Sequence, residues 1–87
     1  MESYRIEWKR SATKELRRLP KAAVPVILRA ADQLSSNPYP PGARKLAGPR
    51  HTYRIREGAY RIIYNVLASV LVVEIVRVRH RKDAYDR

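Results

Sequence analysis

The sequence contains no cysteine. That excludes disulfides and thiolate zinc sites, and it fits a reducing compartment, so the expected location is the cytoplasm. Histidine is scarce as well. Two histidines and eight scattered acids show no metal-ligand spacing, and neither a metal nor a cofactor is expected. Long apolar runs are missing. The longest nearly uncharged stretch, Ile62 to Val73, is about 12 residues, whereas a membrane-spanning helix takes roughly 20. The chain opens directly on a strand-like pattern, so no signal peptide is expected. There is no internal repeat and no low-complexity segment.

What the sequence does have is positive charge. Nineteen Lys and Arg against eight Asp and Glu leave +11 on 87 residues. So strong a field on so small a body points to a polyanionic or acidic partner. The cations are spread over both halves, and arginine dominates in the second. Arginine forks onto phosphate oxygens, whereas lysine acts more as a point charge. A hydrophobic share of 45% is ordinary for a globular protein, and the length suits one domain over residues 1–87.

Taken in order, Tyr4, Ile6 and Trp8 alternate with Arg5 and Glu7, a strand with one apolar face. Ser11 is placed as a helix N-cap. Ala12, Leu16 and Leu19 follow at helical spacing until Pro20 stops the helix. A second helix is expected from about Lys21 to Leu34, with Val24, Ile27, Leu28, Ala31 and Leu34 as its apolar stripe. Pro25 predicts a late or distorted start. The run SSNPYPPG, residues 35–42, is a loop inside one domain. The stretch 43–49 is ambiguous. Strands are expected over Thr52–Glu57, Ala59–Leu67 and Ser69–Arg79. The last is the most apolar and reads as a central strand buried on both faces. The order β-α-α-β-β-β predicts an α+β domain, an αα-hairpin packed on a small, mainly antiparallel four-stranded sheet.

The candidate chemistry lies in YRIREGAYRIIY, residues 53–64. Gly58 permits a tight turn between two strands. Arg54 and Arg56 are two apart, so they share a strand face. Arg61 follows the turn. Antiparallel pairing can bring the end of the last strand and the tail, with Arg77, Arg79, His80, Arg81 and Tyr85, beside this hairpin. Guanidinium groups gathered there would hold a phosphate and stabilise a pentavalent phosphorane, while a phenol could stack on an unstacked base. The plainer reading of the same spacing is a basic surface whose arginines solvate strand ends. Trp8, Tyr60 and Tyr64 read as core, and His51 as a surface loop residue. Lys14, Arg17 and Arg18 form a basic helix face, either simply solvated or in contact with RNA or an acidic protein.

The phrases YRIEW, SATKELRRLP, NPYPPG followed by KLAG, YRIREGAYRIIY and VEIVRVRHRKDAY, in this order, resemble the RelE/ParE superfamily of toxins, and within it the RelE-type mRNA interferases. The resemblance covers nearly the whole chain. It implies the toxin of a type II toxin–antitoxin system, cleaving mRNA in the ribosomal A site without a metal. In that reaction the ribose 2′-OH attacks the adjacent phosphate and leaves a 2′,3′-cyclic phosphate and a 5′-OH. Carried over by position, Arg61, Arg81 and Tyr85 take catalytic roles. Arg54 and Arg56 bind substrate, joined by Arg77, Arg79 and His80. Some relatives carry lysine where Arg54 and Arg56 stand. Arginine stays protonated at any working pH, so these two are phosphate clamps rather than bases. Proton transfer then falls to Tyr85, to His80, whose residue type titrates near pH 6.5, or to a ribosomal group.

The implied partners are a co-encoded, acidic antitoxin, the ribosome and mRNA, with no membrane. Two other readings stand beside this one. A ParE-like toxin shares the fold and poisons DNA gyrase by binding, but such chains tend to have a longer helical hairpin and to lack the tail arginine and tyrosine. A small basic RNA-binding module without activity would have the same composition.

Overall fold

The computed structural model describes residues 3–48 and 51–82. A five-stranded sheet carries two helices on one face, with strand order β1-β5-β4-β3-β2. The strands are β1 (Arg5–Trp8), β2 (Arg44–Lys45), β3 (Thr52–Glu57), β4 (Tyr60–Leu67) and β5 (Val72–His80); the helices are α1 (Arg10–Arg17) and α2 (Ala23–Gln33). β1 runs parallel to β5, and every other pair is antiparallel. The expected α+β class and element order hold. The expected fourfold sheet gains a fifth member, because the ambiguous stretch 43–49 supplies the two-residue β2 at the far edge.

The core lies between the helices and one sheet face. Ile55, Ile62, Tyr64, Val66, Val73, Ile75 and Val78 meet Ala12, Ile27, Ala30, Ala31 and Leu34 there. Pro25 is the third residue of α2, where no intrahelical N–H is required, so the late start follows from its missing donor. The inward stripe of α2 differs from expectation at one place: Ala30 is buried while Leu28 is 40% exposed. β5 is covered along one face only, since both helices pack on the same side, and the expectation of burial on both faces does not hold beyond Val72 and Val73.

Ser11 does not cap α1. Lys9 occupies the N-cap without a side-chain bond, and the Ser11 hydroxyl donates instead to the Val76 carbonyl at 2.7 Å. The reason is an exposed strand edge. β1 ends opposite Ile75 while β5 runs on to His80. Backbone groups left there need partners. Ser11 and Glu15, one helical turn apart, provide them: Glu15 Oε1 accepts the Val78 N–H at 2.8 Å.

β5 also carries a bulge. Ile63 pairs with Arg77, but the next residue, Tyr64, pairs with Ile75, leaving Val76 as the extra residue. Val73, Ile75 and Val78 thereby stay on the core face, while Arg77 and Arg79 turn to the open one. Uninterrupted alternation from Ile75 would drive both arginines into the core.

Candidate nucleic-acid interface

The hairpin turn at the site consists of Gly58 and Ala59, with Glu57 and Tyr60 paired across its base. Gly58 takes φ 59°, the left-handed backbone that glycine adopts without strain. The turn sets the register Arg56↔Arg61 and Arg54↔Ile63, and β2 sets Arg44↔Arg54. Residues directly opposed in a sheet share a face. Arg44, Arg54, Arg56 and Arg61 therefore stand together across three strands, on the side away from the helices.

Two clefts open among them. One of about 460 Å³ is lined by Pro41, Gly42, Arg44, Arg54 and Arg56. The other, of about 180 Å³, is lined by Arg56, Gly58, Tyr60, Arg61 and Arg81. Arg81 reaches it because its backbone N–H donates to the Ala59 carbonyl at 2.7 Å, which ties the end of β5 to the hairpin turn. Partial burial, then the charges of Arg56, Arg61 and Arg44, hold the Arg54 guanidinium below the usual arginine range. Among the described residues no carboxylate lies within ion-pair distance of Arg44, Arg54 or Arg56. Such a cluster is primed for an anion.

The other expected site residues divide. Arg77 and Arg79 share the open face, with Arg79 directly opposite Arg61. Both are held by Glu15: its Oε2 takes Arg77 Nη1 at 3.0 Å and Arg79 Nε at 3.2 Å. His80 does not join the arginines. It pairs with Tyr60 on the helix side of the sheet, where the two rings meet edge to face at 5.4 Å, and its Nδ1 accepts the Lys82 N–H. Neighbours on a strand point to opposite faces, so His80 cannot accompany Arg79. Tyr85 lies outside the described residues. The face thus brings together Arg54, Arg56, Arg61 and Arg81. It adds Arg44, which the sequence reading left inside an ambiguous loop, and Glu15, whose partners lie more than sixty residues away.

Behind the arginines the sheet is backed by packed tyrosines. Tyr53 and Tyr64 oppose each other on the core face, with rings stacked at 6.0 Å, and Tyr39 from the proline-rich loop packs edge-on against Tyr53 at 5.2 Å. Tyr64 is fully buried and its hydroxyl donates to the Pro38 carbonyl at 2.7 Å. Burial first, then Tyr53 and Tyr39, push the Tyr64 pKa upward. Trp8 and Tyr60 also pack against the core, as their strand positions predict.

Both the sequence and the fold have known relatives. The family model describing the ParE toxin of type II toxin–antitoxin systems matches residues 6–85. Toxin RelG of Mycobacterium tuberculosis is 33% identical, over 97% of this chain and 98% of its own length. Among solved structures, the toxin–antitoxin complex RelBE2 from M. tuberculosis superposes with a TM-score of 0.84 at 28% identity, covering 95% of this chain and 97% of that one. The archaeal RelE–RelB complex from Pyrococcus horikoshii gives 0.80 at 33% identity, covering 91% and 96%.

Proposed function

We propose that this chain, which belongs to the RelE/ParE superfamily of type II toxins, is a ribosome-dependent mRNA endoribonuclease that arrests translation. The observation that carries the reading is the convergence of Arg56, Arg61 and Arg81 at one hairpin turn, with Arg54 and Arg44 alongside. In the proposed reaction the ribose 2′-oxygen forms a bond to the adjacent phosphorus and the bond from phosphorus to the 5′-oxygen breaks. The products are a 2′,3′-cyclic phosphate and a 5′-OH. The phosphorane between them carries more negative charge than the diester, so guanidinium groups placed around it lower the barrier without a metal. Arg61 and Arg81 are assigned to that charge, and Arg44, Arg54 and Arg56 to the flanking phosphates.

Arginine cannot take the 2′-OH proton. His80 faces the other side of the sheet. The base is therefore assigned to Tyr85 or to a group of the ribosome, and the 5′-oxygen leaves with a proton from the same surroundings. A net charge of +11 suits an acidic, co-encoded antitoxin, and two of the structural relatives are toxin–antitoxin complexes. The reaction places the toxin in the cytoplasm, with ribosomes. The family model's ParE description keeps a gyrase-directed toxin as the second reading.

Expression of the chain alone is expected to stop growth. Primer extension on cellular mRNA should then show cuts within translated codons that vanish without ribosomes. Arg61→Ala and Arg81→Ala should each relieve the arrest while folding normally. Two fully toxic mutants would overturn the site assignment, and intact mRNA with trapped gyrase–DNA breaks would replace the ribonuclease with the second reading.

A further inference from the structure

The open sheet face is not uniformly basic. Toward the hairpin, Arg44, Arg54 and Arg56 lack carboxylate partners among the described residues. Toward β1 and β5, every acid of the face is engaged. Glu7 holds Arg5, and Glu74 meets Lys9 and the Asn65 amide. Glu15 holds both Arg77 and Arg79. The border between the halves runs between Arg61 on β4 and Arg79 on β5, which are direct cross-strand partners.

Glu15 is fixed at this border by more than charge. Its Oε1 accepts the Val78 N–H, so the carboxylate is anchored in the line of the β5 edge before either arginine is counted. Its side chain is only 20% exposed. Two guanidinium groups converge on its other oxygen, and one of them uses the Nε that would otherwise help present Arg79 to a ligand. A phosphate arriving beside Arg61 meets a second arginine whose charge is already answered.

We infer that Glu15 is a positioning residue that ends the phosphate track at Arg61 and Arg81, by holding Arg77 and Arg79 away from RNA. This rests on the proposed RNA-binding role of the face. Without Glu15 the track continues across β5. The chain then grips more phosphates, binds single-stranded RNA more tightly and less selectively, and responds more steeply to salt.

The number of phosphates gripped is read from the slope of log affinity against log salt, about 0.7 per contact for a single strand. The probe is a short 2′-O-methyl RNA, which cannot be cut, titrated between about 50 and 200 mM salt. Glu15→Gln keeps an acceptor for the Val78 N–H but no charge. It should steepen the slope by about 0.7–1.4, the equivalent of one or two new contacts. A purely structural role would not add contacts. The triple variant E15Q/R77Q/R79Q should return to the wild-type slope, and the double variant R77Q/R79Q, which keeps Glu15, should match the wild-type slope even if E15Q folds poorly. An unchanged slope in E15Q, or a triple variant flatter than wild type, overturns the inference while leaving the ribonuclease reading intact. Wild-type protein that does not bind the RNA at all overturns the inference, whereas the ribonuclease reading falls only if the ribosome-dependent cuts are absent.

Discussion

Replacing Arg54 by glutamine should make the protein more stable and a poorer toxin. Arg54 faces Arg44 directly across β2 and β3. Arg56 lies two residues along the same strand, about 6.6–6.8 Å away by strand geometry, and Arg61 is on the neighbouring strand. Like charges directly opposed in a sheet destabilise by about 0.2–1 kcal/mol, and the lateral neighbours add smaller amounts. A total near 1 kcal/mol would raise the melting temperature by about 4–8 °C in a domain of this size. Burial first, and only then the charges of Arg56, Arg61 and Arg44, depress the Arg54 pKa, so the repulsion argued here is the lesser of its causes. Salt distinguishes relief of repulsion from any local repacking by glutamine. The screening length falls from about 10 Å at 0.1 M to about 3 Å at 1 M, so the gap between the two proteins should shrink as salt rises. The assay is thermal unfolding by circular dichroism across that range, paired with growth after induction. A variant no more stable than wild type at low salt, or a gap indifferent to salt, would refute the reasoning.

Tyr64→Phe should lower stability at neutral pH by about 1–3 kcal/mol, because the buried Pro38 carbonyl loses its donor. The raised Tyr64 pKa means that the folded state holds this proton more tightly than the unfolded chain. Its stabilisation is whole below about pH 10 and is lost as pH climbs beyond that. Urea midpoints of the two proteins should therefore approach each other above pH 10, and a constant gap would count against the assignment. Gly58→Val should cost about 1–2 kcal/mol through the left-handed backbone alone, since nothing lies within 4 Å of the added Cβ. Gly58→Asn should lose much less, measured by the same midpoints, and equal losses would show that space rather than backbone angle decides the position.

Local periodicity made much of this molecule readable in advance. The alternation of Tyr4, Ile6 and Trp8, the α2 stripe around Ile27, Ala31 and Leu34, and the turn at Gly58 all depend on neighbours within a few residues. So does the shared face of Arg54 and Arg56. The separation of His80 from Arg79 was missed, because the strand was expected to end at Arg79 and only its extension to His80 sets the two on opposite faces. What escaped was non-local. The extra residue Val76 leaves no mark in composition, yet it decides which way Arg77 and Arg79 point. Arg44 becomes part of the site only through a two-residue strand whose partner is β3. Glu15 looks like an ordinary helix-face acid until the end of β1 exposes the edge of β5 beside it.

The arginine cluster raises a question that the rest of the sheet answers. Uncompensated charge on one face tends to loosen the strands that carry it, and a loose strand would hold a phosphate poorly. A cluster of three tyrosine rings lies directly behind that charge. Tyr53 precedes Arg54 and Tyr64 follows Ile63, so the stacked rings back the register positions that present the arginines. Tyr39 and the Pro38 carbonyl pin the same pair from the loop that leads into β2 and Arg44. The proline-rich loop, which carries no cation of its own, is thereby a part of the site. It lies against β3 and β4 from behind and leads directly into β2, and so backs the strands that carry Arg44 and Arg54.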